Sequence, residues 1–121
     1  MNTFESRDLM KGINHQLAPF RKAQTGVMAG FGQLAREAMA EGAISAKHKE
    51  LIALAIGISK HCAGCIAFHV KALRQLGCTR QELEETLGIC VYMMGGPGLM
   101  TAADALSCWD ELEAASTPAQ A

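Results

Sequence analysis

Hydrophobic residues recur along this chain at spacings of three and four, the pattern of helices with one apolar face. The first predicted helix covers residues 4–17 and ends before Pro19, because proline disrupts a helix interior. A second predicted helix covers residues 20–41 and ends at Gly42, a residue type common just after helices. The apolar stripe of the second helix consists of Val27, Phe31, Leu34 and Ala38.

The third predicted helix covers residues 46–60 and is capped by Ser45. Its centre, residues 51–58, is apolar on all sides, so it must be buried in the core or between subunits. An apolar run of this length also suits a buried strand. The Leu and Ala content, together with the length of the surrounding stretch, favours a helix.

Three further helices are predicted in the second half of the chain. The fourth covers residues 62–76 and stops at Gly77, and Thr79 with Glu82 forms a capping box that opens the fifth. Residues 95–98, Gly-Gly-Pro-Gly, break the chain before the sixth helix, and residues from Ala114 onward are expected to fray. The inner stripes are Leu83, Leu87, Cys90 or Val91, and Met94 on the fifth helix, and Leu99, Ala102, Leu106 and Trp109 on the sixth. With no convincing strand, the prediction for residues 1–121 is a single-domain, all-α bundle of about six helices.

Composition and charge narrow the functional classes. The eleven Lys and Arg residues are scattered and the net charge is −1, which argues against a nucleic-acid partner. No apolar run reaches the length of a membrane span, and the polar N-terminus is unlike a secretory signal, so a cytoplasmic protein is expected. Five cysteines make an odd count without a regular framework. A Cys-x-x-Cys pair in such a chain is typical of redox or metal chemistry rather than of a disulfide scaffold.

The candidate chemistry lies on the fourth helix. Cys62, Cys65 and His69 fall on one stripe, because positions three and four apart share a helix face. Both cysteines lie in the first turn, where the helix dipole favours a thiolate. His69 follows Cys65 by one turn, suitably placed to take its proton or pair with the thiolate. The second cysteine can then resolve a sulfenic acid or a mixed disulfide.

Glu50 is predicted to complete this group. If the third and fourth helices fold back on each other near His61, Glu50 lies eleven residues before the bend and His69 eight after it. A rise of about 1.5 Å per residue puts them at depths of ~16 and ~12 Å, near enough for their side chains to meet. The carboxylate would then orient His69 and stabilise its charged form.

Other interpretations of these residues remain open at this point. Two cysteines, His69 and Glu50 are also a ligand set for zinc, although structural zinc usually ties separate segments through a second pair of ligands. Cys78, Cys90 and Cys108 are expected to be buried, small apolar residues. Phe68 falls on the mixed far side of the fourth helix, which suggests a subunit contact.

The segment from Glu50 to His69 carries a family resemblance. Glu50 is followed by Cys62 twelve residues later, Cys65 three later and His69 four later, with Gly-Gly-Pro-Gly at 95–98 downstream. This spacing resembles the alkylhydroperoxidase D-like branch of the carboxymuconolactone decarboxylase family, over residues 44–106. The resemblance implies an all-helical bundle that assembles as trimers or hexamers through intertwined helices.

The resemblance also implies an activity and a set of roles. Cys65 would attack a hydroperoxide substrate, Cys62 would resolve the sulfenic acid as a disulfide, and Glu50 with His69 would relay protons. The reductant would be a dithiol partner, in such systems of the lipoyl type, and no cofactor or metal is expected. This chain departs from the peroxidase relative at Ala63-Gly64, where that relative has a second histidine, and His61 is the candidate substitute.

Two other functions are compatible with these residues. One is lactone decarboxylation, which names the wider family but is not expected to need a cysteine pair. The other is a helical oligomer without turnover, in which the two cysteines, His69 and Glu50 bind zinc or sense oxidants.

Overall fold

The computed structural model describes residues 5–116 of the chain as six α-helices. They are α1 (Glu5–Ala23), α2 (Thr25–Met39), α3 (Ala46–Ser59), α4 (Ala63–Gln75), α5 (Arg80–Met94) and α6 (Gly96–Ser116). Residues 5–116 contain no strand, so the predicted all-α fold is confirmed, as is the choice of helix for residues 51–58. The assignment of the whole chain to one domain stays a prediction.

Helix α4 lies at the centre of the bundle and contacts α1, α3 and α6. Helix α5 packs against α3 and α6, so the second half of the chain encloses one continuous core. The largest apolar side chains with no exposed surface are Leu54, Ile58, Val70, Leu73 and Leu83. The core is therefore aliphatic, which agrees with the low aromatic content of the sequence.

Three of the predicted helix ends are confirmed in detail. Ser45 Oγ accepts a hydrogen bond from the backbone N–H of His48 at the start of α3. Thr79 and Glu82 form the reciprocal capping box at the start of α5. Gly77, after α4, has a left-handed φ of +78°, which glycine adopts without steric cost. Local sequence therefore sets the ends of these helices.

The predicted end of the first helix is wrong. Helix α1 runs through Pro19 and ends at Ala23, and residues 20–23 belong to it rather than to the second helix. Proline removes only its own N–H bond, and the helix bonds resume beyond it, as in the bond from the N–H of Gln24 to the carbonyl of Phe20. The break falls at Gln24, whose backbone leaves the helical region (φ −124°, ψ 55°). Residue 4, the predicted start, lies outside the described residues.

Three other local predictions also need correction. Helix α2 ends with Ala40 in an extended conformation, so Gly42 is not its C-terminal cap. The break at residues 95–98 is confined to Gly95 (φ +67°), because the next three residues form the first turn of α6. Phe68 is half-buried and packs against the core of its own chain, and the subunit contact suggested for it stays a prediction. Ala114 to Ser116 are helical, and residues 117–121 of the predicted frayed tail lie outside the described residues.

Helix α1 is fixed to the bundle by a contact between distant parts of the sequence. The carboxylate of Glu111 on α6 is buried and accepts hydrogen bonds from the backbone N–H groups of Ser6 and Arg7, at 3.1 and 3.0 Å. A carboxylate at this position satisfies first-turn donors and complements the helix dipole. None of the described helices is long and apolar enough to cross a membrane.

Candidate active site

The two cysteines of the Cys-x-x-Cys motif lie at the N-terminus of α4. Cys62 is the N-cap residue, and its Sγ accepts a hydrogen bond from the backbone N–H of Cys65 at 3.2 Å. The two residues form a disulfide, with their Cα atoms 5.2 Å apart. Cys62 therefore takes the place of a capping serine, and its sulfur receives the direct stabilisation that the helix end offers to negative charge.

Helix α3 approaches this motif closely because residue 57 is glycine. A Cβ atom built on buried Gly57 would lie 3.1 Å from the Cβ of Cys65, tighter than ordinary van der Waals contact. The crossing of α3 and α4 therefore occurs at the cysteine pair, and α3 forms one wall of the candidate site. The sequence held a clue to this role, because a glycine inside an apolar helix usually has a packing reason.

His69 and Glu50 meet as predicted. His69 Nδ1 lies 2.7 Å from Glu50 Oε2, across the interface of α3 and α4. The side chain of Glu50 is 15% exposed and that of His69 is 32% exposed, so the pair is shielded but open to small molecules. With Nδ1 held by the carboxylate, a neutral imidazole carries its proton there and presents Nε2 as the acceptor.

His61, directly before Cys62, has an unusual backbone and a fixed ring. Its φ of 52° is the one positive value of a non-glycine residue within the described chain. Its Nδ1 lies 2.9 Å from Thr101 Oγ1 on α6, forty residues away in sequence. No local pattern in the sequence indicated Thr101, because the contact exists only where the end of α3 meets the start of α6.

Helix α1 covers the position between the cysteines. A Cβ atom built on Gly64 would lie 2.9 Å from Ile13 Cδ1, so this side chain occupies the space that a larger residue at position 64 would need. The site thus has an apolar wall where the peroxidase relative was expected to have a second histidine. Ile13 was predicted as part of the first helix, but its place over the motif required the tertiary structure.

The remaining cysteines lie away from this chemistry. Cys78, Cys90 and Cys108 are buried free thiols, as predicted. Burial raises the pKa of all three thiols, because a thiolate is disfavoured away from water. They are therefore poor nucleophiles at neutral pH, which leaves the Cys62–Cys65 pair as the candidate for thiol chemistry.

The zinc interpretation gains no support from the geometry. Among residues 5–116, which include all four proposed ligands, no three His, Cys, Asp or Glu side chains are arranged to hold a metal ion. Glu50 and His69 are instead bonded to each other, which suits a proton relay.

Comparisons with known proteins agree on one family. The sequence profile of the carboxymuconolactone decarboxylase family matches residues 25–107. The chain is 36% identical over 112 residues to an uncharacterised protein of Cupriavidus necator, covering 93% of this chain and 99% of that one. It is also 31% identical over 94 residues to an uncharacterised protein of the cox locus of Paracoccus denitrificans, covering 78% of this chain and 85% of that one.

A solved structure extends this agreement to the fold. The apo crystal structure of a carboxymuconolactone decarboxylase family protein from Legionella pneumophila is 49% identical and superposes with a TM-score of 0.87. The match covers 89% of this chain and 96% of that one. On this evidence the chain belongs to the carboxymuconolactone decarboxylase family.

Proposed function

We propose that this protein is a thiol-disulfide oxidoreductase that reduces alkyl hydroperoxides through Cys65 and Cys62, in antioxidant defence. The observation that carries the proposal is the pairing of a Cys-x-x-Cys disulfide at a helix N-terminus with a His69–Glu50 hydrogen bond on the same helix interface. Redox cysteines need stabilisation of the thiolate and a positioned base. The helix end stabilises negative charge most directly on the Cys62 sulfur. The nucleophile is assigned to Cys65 because His69 follows it by one helical turn and removal of the thiol proton is the step that the site must accomplish.

In the proposed reaction, His69 Nε2 takes the proton of the Cys65 thiol and Glu50 stabilises the resulting imidazolium. The thiolate attacks the terminal peroxide oxygen, the O–O bond breaks, and the alkoxide leaves as an alcohol after taking up a proton. Cys65 is then a sulfenic acid. Cys62 attacks its sulfur, the S–O bond breaks, and water leaves as the disulfide forms.

The cycle closes when an external dithiol reduces the Cys62–Cys65 disulfide. We propose a dithiol of the lipoyl type as the donor, because a dithiol releases its own cyclic disulfide after attacking the protein. The cytoplasm is the proposed location, since its thiol pools keep such donors reduced.

We also propose that the protein is a homo-oligomer, a trimer or hexamer by family resemblance. Helix α2 has no buried residue, and the large apolar side chains of Val27, Phe31 and Leu34 are each more than half exposed. A second apolar surface lies between α3 and α5, a groove of 530 Å³ whose lining includes Ile56 and Ile89. Contiguous exposed apolar surface of this kind is typical of subunit contacts.

The test of the activity is a thiol count and intact mass of reduced protein, before and after one equivalent of an alkyl hydroperoxide. The wild type is expected to lose two thiols, mapped to Cys62 and Cys65. Cys65→Ser should lose none within the same time, and Cys62→Ser should stop at a sulfenic acid on Cys65. Cys78→Ala is the matched control, because it removes a buried thiol whose raised pKa keeps it unreactive.

Thiols that stay intact in the wild type would contradict the proposal. Turnover of a carboxymuconolactone-type substrate by the same preparation would then assign the protein to the decarboxylases of the family. Turnover of peroxide by Cys65→Ser would contradict the assignment of the nucleophile.

A further inference from the structure

The motif holds two histidines with different attachments. His69 follows Cys65 by one helical turn and is bonded to Glu50. His61 directly precedes Cys62 and is bonded to Thr101 on α6. Between the cysteines, the terminal methyl group of Ile13 lies against Gly64.

The backbone of His61 gives the first reason to assign it a role. Its left-handed φ of 52° is a conformation that glycine adopts freely and that other residues adopt under strain. The carbonyl groups of Ile58 and Gly57 accept hydrogen bonds from the N–H groups of His61 and Cys62, which fix this turn. A side chain kept at a glycine-favouring position, next to a reactive residue, points to a function for that side chain.

The hydrogen bonds of Thr101 give the second reason. The Thr101 hydroxyl donates its single hydrogen to the carbonyl of Pro97 at 3.0 Å, so towards His61 it can act only as an acceptor. The 2.9 Å contact is therefore a bond from the Nδ1–H of His61 to Thr101 Oγ1. In the neutral ring the proton is thus fixed on Nδ1, and Nε2 is left as a base in an exposed side chain.

We propose that His61 is the base for Cys62 in closure of the Cys62–Cys65 disulfide, and that Thr101 is the residue that positions it. The inference rests on the proposed function for its place in the cycle. His61 Nε2 accepts the proton of the Cys62 thiol, directly or through one water, while the Cys62 sulfur attacks the Cys65 sulfur. With a sulfenic acid, the proton passes to the departing hydroxide and water leaves. Each cysteine of the pair then has its own fixed histidine.

The test uses a disulfide reagent in place of a peroxide. Reduced protein is mixed with 5,5′-dithiobis(2-nitrobenzoate), and release of thionitrobenzoate is followed by stopped flow. A first equivalent reports formation of the mixed disulfide on Cys65. A second equivalent reports closure, in which the Cys62–Cys65 bond forms and the bond from Cys65 to the reagent breaks, expelling thionitrobenzoate. Mass analysis of Cys62→Ser confirms which cysteine takes up the reagent.

His61→Asn and His61→Gly are expected to slow the second equivalent by about 10²-fold, the usual contribution of a positioned base, and to leave the first unchanged. His61→Gly should also raise the melting temperature, because glycine relieves the left-handed strain. Added imidazole should restore its closure rate. Thr101→Val should slow closure, whereas Thr101→Ser, which keeps the hydroxyl, should not. His15→Asn, which removes an exposed histidine of α1, is the matched control.

Closure at the wild-type rate in both His61 variants would overturn the inference. So would uptake of the reagent at Cys62, or equal slowing of both equivalents, which indicates general disruption of the site. Because no peroxide is involved, these results are distinguishable from failure of the proposed peroxidase activity.

Discussion

Helices α4 and α2 both carry apolar residues at helical spacing, but only α4 has its apolar face buried in the core. Helix α4 buries Ile66, Ala67, Val70 and Leu73 and is surrounded by α1, α3 and α6. Helix α2 buries no residue and contacts only α1 and α3 within the described chain. Periodicity thus identifies a helix and its apolar face, whereas what covers that face depends on the other elements.

This difference matters for function. Helix α4 carries Cys65 and His69 of the proposed site, directly after its N-cap Cys62, and it packs against three other helices. Such packing gives the fixed side-chain positions that the proposed catalysis requires. Helix α2 is fifteen residues long, and a helix of that length is only marginally stable without a packing partner. Its open face is therefore available for association, while the chemistry is expected to depend on α3 and α4.

The largest effect is expected at the bond between α3 and α4. Glu50→Gln preserves an acceptor for His69 but removes the charge that stabilises the imidazolium, so oxidation of Cys65 by peroxide should slow by about 10–100-fold. The measurement is stopped-flow loss of the Cys65 thiol. The double variant with His69→Asn should be no slower than His69→Asn alone, because the two residues act as a unit. Glu85→Gln, an exposed carboxylate of α5, is the control. If the rate losses of the two single variants add in the double variant, Glu50 and His69 act independently, which would contradict a relay.

The crossing of α3 and α4 should be the next most sensitive place. Gly57→Ala puts a methyl group 3.1 Å from the Cβ of Cys65, so α3 and α4 must shift apart by a few tenths of an ångström. We expect a loss of about 1–3 kcal/mol in the free energy of unfolding, the usual cost of overpacking, together with slower disulfide closure. Urea denaturation measures the first effect. Gly88→Ala, on an open helix surface, should instead gain up to about 1 kcal/mol. Equal changes in the free energy of unfolding of the two variants would contradict a special role for Gly57.

Helix α2 should affect assembly rather than chemistry. Phe31→Glu places a charge on the open apolar face, so the protein should dissociate to smaller species in light scattering while the site keeps its closure rate. Ala29→Glu adds the same charge on the opposite side of α2 and should leave the mass unchanged. An unchanged mass for Phe31→Glu would show that this face is not a subunit contact. If disulfide closure slows in Phe31→Glu when its mass falls, the site depends on assembly.

The smallest effect is expected at the ion pair that links the starts of α3 and α5. Lys47 and the capping hydrogen bonds lower the pKa of Glu82 from its ordinary value to about 2. Because the folded-state pKa is the lower one, this stabilisation is present above about pH 4.5 and is lost as the pH falls towards 2. Glu82→Gln should therefore lower the melting temperature slightly at pH 7, with the difference vanishing near pH 2. A constant difference across that range would exclude the charge as its cause.

Local sequence was enough to predict several parts of this protein. The caps at Ser45 and Thr79 depend on side chains that bond to backbone groups three residues away, so their pattern is legible in the chain itself. The stripe of Cys62, Cys65 and His69 follows from helical periodicity. Counting the helical rise from the bend near His61 correctly predicted that the side chains of Glu50 and His69 meet. Pro19 misled the prediction because the loss of one hydrogen bond did not end a helix whose following bonds could still form.

Only the tertiary structure decided which distant residues complete the site. Thr101 Oγ1 is bonded to His61, and Ile13 lies against Gly64. Both contacts join segments with no local relation in the sequence. The same is true of Glu111, which binds the start of α1 from the other end of the chain. Sequence periodicity fixes which face of a helix is apolar, but the packing of whole helices sets which side chains meet, because that depends on every interface at once.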